Sequence, residues 1–268
     1  MPVRVETYAG LDEAAGALAA NSAARFFAGG TLLMRAINEA NPSFDTLIRA
    51  TDPALKEIRL EGDAIVVGAA CTMNEIMAHR ELAFLAPVAR GIGGPAVRSA
   101  ATIGGNLFAW SPFGEMTTAL LALGATIRFA GHGGQVAIDE FLSNRDRYRG
   151  QIVRSVSVPR ISDPSAFRFL KVTRVKPKGA ALISIAVRIG RPGSGETRIA
   201  FNNMNPVPTR ALAAEQALQG GSLDEASVSR AASLATDGMN PPTDALASDW
   251  YRREVAPVHL KRVLLGRT

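Results

Sequence analysis

Two short glycine-rich stretches carry the residue types from which an anion site can be built: Ala28-Gly29-Gly30-Thr31 and Thr102-Ile103-Gly104-Gly105-Asn106. Adjacent glycines let backbone N–H groups come close to a ligand, and threonine and asparagine side chains add hydrogen bonds. Each stretch runs on into a helical pattern. After the second, Ser111 reads as an N-cap, Pro112 as the first helical residue and Glu115 as a first-turn acid. Phe113, Met116, Leu120 and Leu123 then recur on one apolar helical face. A helix start adds N–H groups and a positive dipole end, which suits a phosphate or pyrophosphate. Taken alone, either stretch is explained equally well as a tight turn joining a strand to a helix. The pair together points to a dinucleotide held between two lobes with apolar walls.

Other motifs compete less well. Gly91-Ile92-Gly93-Gly94-Pro95-Ala96 has the form G-x-G-x-x-[GA], but a dinucleotide fingerprint must follow a strand and open a helix. Here a helical pattern precedes it and a proline follows the third glycine, so an NAD-binding Rossmann-like oxidoreductase remains only an alternative. No G-x-x-x-x-G-K-[ST] or G-x-S-x-G motif occurs. His79, His132 and His259 lie at no metal-binding spacing. Cys71, the single cysteine, stands just before a capping threonine, where a small buried hydrophobe is expected. One cysteine rules out an internal disulfide and an iron–sulfur cluster built by this chain. The residues themselves nominate no catalytic group and no metal site.

The composition is that of a soluble globular protein, with 47% hydrophobic and 20% charged residues among 268. The formal charge of +6 raises a basic nucleic-acid-binding module as a second alternative. Its positive residues are scattered, however, with short clusters only at 145–149, 171–178 and 252–253, and aromatics do not interleave with them. No nucleic-acid partner is expected. Neither a transmembrane run nor an apolar leader follows Met1-Pro2-Val3-Arg4, so no membrane span and a cytoplasmic location are expected.

In chain order, strands are expected at 3–8, 46–49, 58–60, 64–67, 126–130, 136–138 and 152–158, and helices at 11–20, 32–40, 72–79 and 82–90. Glu61-Gly62-Asp63 and Gly131-His132-Gly133-Gly134 read as hairpin turns, and Thr72 with Glu75 as a capping box. A linker at 161–165 precedes a change of texture. Beyond it come strands at 167–172, 181–189 and 197–201, with a long turn at 191–195. Helices follow at 210–218, 223–236 and 247–265, the last kinked at Pro257.

The succession A-G-G-T … T-I-G-G-N-x-x-x-x-S-P resembles the FAD-binding medium subunit of the molybdenum hydroxylases, the family of xanthine dehydrogenases, carbon monoxide dehydrogenases and aldehyde oxidoreductases. Further elements occur in order: Gly68-Ala69-Ala70-Cys71-Thr72, Val97-Arg98, Ser111-Pro112, Leu120-Leu121-Ala122-Leu123-Gly124-Ala125, Lys171 and Tyr251-Arg252-Arg253. The resemblance implies an α+β fold: a two-lobed FAD domain of the vanillyl-alcohol-oxidase (PCMH-like) type, with lobes at 1–57 and 58–163. A small α+β domain at 164–268 follows, a three-stranded sheet with helices. It implies FAD contacts at Phe26, Phe27, Ala28, Gly29, Gly30, Thr31, Leu32 and Leu33, and at Ile92 beside the flavin. The second group is Thr102, Ile103, Gly104, Gly105, Asn106, Ser111, Glu115, Val153 and Lys171. The glycine amides at 29–30 and 104–105 would hold the pyrophosphate, Ile92 and Val153 would supply apolar walls, and Lys171 would stabilise negative charge on reduced flavin. Three positions depart from the family pattern: Leu32 replaces a polar residue, Glu115 a shorter aspartate and Ser99 an asparagine. Neither loop offers histidine or cysteine for covalent attachment, so noncovalent FAD is expected. The resemblance also implies a large molybdenum-cofactor subunit and a small subunit with two [2Fe–2S] clusters as partners, assembled as a dimer of heterotrimers. This oxidoreductase subunit would pass their electrons through FAD to a terminal acceptor.

Overall fold

Parallel strands need a crossover, and the N-terminal sequence supplies one. The helix Leu11–Ala20 places Leu11, Ala14 and Leu18 on one buried stripe and carries Asp12 and Glu13 in its first turn. It connects Arg4–Tyr8 to Ala24–Phe26, and both strands pair in parallel with Thr46–Ala50 between them. Thr46, Leu47 and Ile48 are all buried, as the middle strand of a covered sheet requires. The computed structural model describes residues 3–40, 43–131, 134–175, 179–190 and 196–267. His132 and Gly133 of the expected hairpin turn, the 191–195 turn, and Lys176 and Lys178 of the basic run lie outside them.

A second, antiparallel sheet runs in the order Ile58–Glu61, Ala64–Gly68, Val153–Pro159, Thr126–Phe129, Gln135–Ala137. Gly62, at φ 58°, turns the first hairpin as expected. Gly68 admits the backbone of Leu55, whose carbonyl carbon would lie 2.4 Å from a Cβ. The capping box forms: Glu75 N donates to Thr72 Oγ1, and Thr72 N donates to Glu75 Oε2. Ile138, expected to end a strand, instead opens the helix Ile138–Ser143, where Ile138, Phe141 and Leu142 are buried. Together the two sheets form one compact unit, residues 1–79, 93–109 and 124–160.

The remaining segments, 80–92, 110–123 and 161–268, form a second unit. Its antiparallel sheet has the order Thr209–Arg210, Arg198–Asn202, Ala181–Arg188, Phe167–Thr173, so a two-residue strand joins the three expected. Ile183, Ile185 and Val187 alternate onto one face and build a core with Phe201, Val228, Ala231, Leu260 and Val263. The helices Leu212–Ala217, Glu225–Ser233 and Asp249–Leu264 supply that face. Pro257 stands inside the last of these, and the helix continues to Leu264. The helix Glu115–Leu123 also packs on strands Ala181–Arg188 and Arg198–Asn202. All nine of its residues are buried, so the single apolar face expected for it is corrected to a helix covered all round. The single helix expected at 82–90 is divided into a 3-10 segment, Arg80–Leu85, and an α-helix, Ala86–Arg90, with Pro87 in its first turn.

Among the described residues no helix is long and apolar enough to cross a membrane, and no cluster of three acidic, histidine or cysteine side chains could hold a metal ion.

Candidate cofactor site

The first glycine stretch leaves the parallel sheet at its edge. Phe26 ends its strand, and Phe27 N donates to Ile48 O at 2.7 Å, extending the pairing by one residue. Beyond it, among the described residues, the amides of Ala28, Gly29, Gly30, Thr31 and Leu32 donate to nothing within the protein. Met34 N donates to Gly30 O at 2.8 Å, and the helix Leu33–Asn38 begins. Both glycines are sterically required. A Cβ on Gly29 would lie 1.8 Å from Ala100 O and 3.3 Å from Thr102 Cγ2. Gly30 has φ 69°, and its Cβ would meet the Phe27 ring at 2.3 Å. A run of unpaired amides around a left-handed residue forms a concave donor nest that suits a phosphate. On this observation the residues of the first loop fit the pyrophosphate of FAD.

The second stretch is a helix, not an open turn. Thr102 caps Ile103–Leu107, its Oγ1 accepting Gly105 N at 3.1 Å. Ile103 N donates to Cys71 O at 3.0 Å, Gly104 N to Ala69 O at 2.9 Å and Asn106 N to Thr102 O at 3.0 Å. The expectation that the amides of Gly104 and Gly105 point at an anion is therefore corrected, because both are already engaged. Gly104 lets the helix approach Ala69, whose Cβ would sit 2.8 Å from an added Cβ. Thr102 and Asn106 are buried and Gly105 is exposed. The stretch thus acts as the seat against which Gly29 rests. The segment that carries this seat, Gly68-Ala69-Ala70-Cys71-Thr72, is legible as a family element, but nothing in its residue types announces a backbone docking site. Gly104→Ala is expected to cost about 1–3 kcal/mol through this overpacking, read as a lower urea midpoint, whereas Gly105→Ala changes the midpoint far less.

Val153 pairs across from Phe129 in the antiparallel sheet and is buried, and the helix Ile103–Leu107 packs on its strand. Cys71 is fully buried beside the seat, as expected for a small hydrophobe. Burial disfavours its thiolate, and Glu75 adds to this, pushing the thiol up from 9.0 to about 11. Only about 0.1% thiolate is then present at pH 8. No fast-reacting thiol is expected with a disulfide reagent at pH 8 in the native chain, and one after denaturation in guanidinium.

The other candidates belong to the second unit. Ser111 is not an N-cap. The Ser111–Pro112 bond is cis, the helix starts at Glu115 with Thr118 N donating to Gly114 O, and Ser111 Oγ donates to Asn203 Oδ1 at 2.7 Å. The hydroxyl is thus taken by a partner remote in sequence. Asn203 itself is buried at φ 62° and donates Nδ2 to Ala181 O. Glu115 is 2% exposed, and its Oε1 lies 2.6 Å from Lys171 Nζ. Lys171 also donates to Gly91 O at 2.8 Å, one residue before the buried Ile92. Ile92, Glu115 and Lys171 are thereby brought together, while the Ser111 hydroxyl is engaged by Asn203. The motif at 91–96 follows the helix Ala86–Arg90 rather than a strand, so it lacks the context of a Rossmann fingerprint.

Comparison with known proteins gives a consistent assignment. Residues 2–161 match the family described as FAD binding domain in molybdopterin dehydrogenase, and residues 170–266 match the CO dehydrogenase flavoprotein C-terminal domain. The chain is 29% identical over 269 residues to the glyceraldehyde dehydrogenase medium chain of Sulfolobus acidocaldarius, covering 96% of this chain and 94% of that protein. It is 25% identical to the carbon monoxide dehydrogenase medium chain of Afipia carboxidovorans, over 77% of this chain and 75% of the relative. Among solved structures, quinoline 2-oxidoreductase from Pseudomonas putida 86 superposes with a TM-score of 0.86 at 26% identity, covering 100% of this chain and 96% of that one. Matched over nearly its whole length by these two family descriptions, the chain belongs to the FAD-binding medium subunits of the molybdenum hydroxylases.

Proposed function

We propose that this FAD-binding oxidoreductase subunit accepts electrons from a small [2Fe–2S] subunit and delivers them to a terminal acceptor, while substrate is oxidised on a large molybdenum-cofactor subunit. The observation that carries the reading is the loop at 28–32, five free amides seated by Gly29 on Ala100. FAD, when bound, supplies the step between electron donor and acceptor; the protein's part is to hold and orient it. Residues 28–32 donate to the pyrophosphate, with Phe26, Phe27 and Leu33 flanking them. Thr102, Ile103, Gly104, Gly105 and Asn106 position that loop, and the side chains of Thr102 and Asn106 offer further polar contacts. Val153 contributes an apolar side chain. In the second unit Ile92, Ser111, Glu115 and Lys171 are assigned to the cofactor as well. Neither loop holds histidine or cysteine, which supports noncovalent binding. Relatives named for glyceraldehyde, carbon monoxide and nicotinate share this chain's sequence pattern, which supports placing substrate choice in another subunit. A cytoplasmic dimer of heterotrimers is the proposed setting.

The test is titration of the purified flavin-free chain with FAD, followed by flavin absorbance after gel filtration. One FAD per chain is the expected result. A folded chain, verified by circular dichroism, that takes up no flavin would overturn the reading.

A further inference from the structure

We propose that the buried pair Lys171–Glu115 is a positioning device that fixes the backbone at Gly91–Ile92, and that it acts on the cofactor through that backbone rather than through its charge. The proposal rests on the assignment of Ile92 to the flavin made above. Three observations support it. The ammonium of Lys171 lies 2.6 Å from Glu115 Oε1 and 2.8 Å from Gly91 O, with the two side chains only 12% and 3% exposed. The lysine stem passes over Gly91, its Cδ 3.6 Å from where a Cβ would stand. The amides on the same short segment are tied the other way: Gly91 N donates to Val88 O at 3.0 Å, and Ile92 N to Ala89 O at 3.1 Å. Carbonyl and amides are thus held from opposite sides. Both ends of the pair are anchored as well. Lys171 lies on a central-register position of its strand opposite Ser184, and Glu115 Oε2 accepts Gly114 N at 3.2 Å.

The energetics point the same way. A buried ion pair often adds little net stability over an apolar pair of similar size, because desolvation offsets the attraction. What this pair provides that an apolar pair cannot is a directed donor for one carbonyl. Its charges also cancel at short range, so the field reaching a neighbouring cofactor is that of a compact dipole, far weaker than that of a lone ammonium.

The double variant Lys171→Met/Glu115→Gln separates the two modes of action, since it removes the tether while leaving the net charge as it was. It also avoids the unpaired buried carboxylate that makes Lys171→Met alone prone to misfold. In the flavin-free chain, amide hydrogen exchange at Gly91 and Ile92 is expected to quicken about tenfold or more. In the FAD-loaded chain the flavin midpoint potential and visible circular dichroism are expected to differ from wild type. A double variant with wild-type exchange, or with wild-type potential and spectrum, would overturn the proposal. If the folded wild-type chain bound no FAD, the functional reading and the flavin half of this one would fall together, and the exchange measurement would still decide the tether.

Discussion

Gly29→Ala is expected to abolish flavin retention. Its new Cβ would stand 1.8 Å from Ala100 O and 2.7 Å from the same carbonyl's carbon, both backbone atoms that cannot swing aside. An ordinary carbon–oxygen contact needs roughly 3.3 Å, so the loop or its seat must move by more than an ångström. The backbone that carries the free amides at 28–32 would then be displaced. Hydrogen bonds to a charged group are worth about 1.5–3 kcal/mol each, so losing two weakens binding by about a hundred-fold to ten-thousand-fold. Gly62→Ala is the control. Unlike Gly29 it has a positive φ, 58°, yet nothing lies within 4 Å of its Cβ, so it strains one hairpin turn and touches no loop of the site. The ratio of flavin to protein absorbance after gel filtration reads both variants. Full occupancy in Gly29→Ala would remove the nest from the binding argument.

Arg252→Met is expected to bring the largest loss of stability, about 3–5 kcal/mol. Arg252 is fully buried, and every nitrogen of its guanidinium has an acceptor. Nε donates to Leu182 O at 3.1 Å, Nη1 to Ala247 O at 2.9 Å and also to Pro242 O, and Nη2 to both carboxylate oxygens of Asp244 at 2.9 Å. Methionine fills much of the volume but takes the arginine donor from the carbonyls of Leu182 and Pro242, whereas Ala247 O keeps the Asp244 amide. Asp244 is partly exposed and can turn to water, so most of the cost falls on those carbonyls. Asp244→Asn keeps the arginine and its carbonyls but removes the charge opposite a buried guanidinium, so it too is expected to lower the urea midpoint. Both tryptophans, Trp110 and Trp250, belong to the second unit, so urea unfolding followed by their fluorescence reports on the affected part. An Arg252→Met midpoint within error of wild type would show that the network contributes little.

What the sequence made legible was local. The Thr72–Glu75 capping box, the Gly62 turn and the helix at 11–20 each involve residues a few positions apart, and each formed as expected. The glycine pair at 29–30 announced a close approach, but not that its neighbour would be Ala100 O, seventy-one positions along the chain. Ser111-Pro112 carried a helix-start signature, and the hydroxyl was claimed instead by Asn203. No local rule anticipates such competition. The engaged amides of Gly104 and Gly105 were illegible for the same reason: a glycine-rich turn and a glycine-bearing helical turn look alike until the acceptor at Ala69 is known. Thr209–Arg210 is too short for any periodicity to register, so the fourth strand of its sheet went unseen. The family pattern named Lys171 and Glu115 as separate contacts, and only the fold shows that they are partners.

The helix Glu115–Leu123, buried on every side, is translated well before the strands that cover it. Its shelter, Ala181–Arg188, begins 58 residues after the helix ends. At the usual 5–20 residues per second, the ribosome needs about 3–12 s to supply it. During that interval Met116, Leu120, Leu121 and Leu123 lack the sheet that covers them, and the earlier helix Ala86–Arg90 is the packing partner already made. The same arithmetic governs dissection. A fragment cut at residue 161, where the first family match ends, keeps the helix and discards its cover, so it is the wrong piece to express as a free-standing flavin domain.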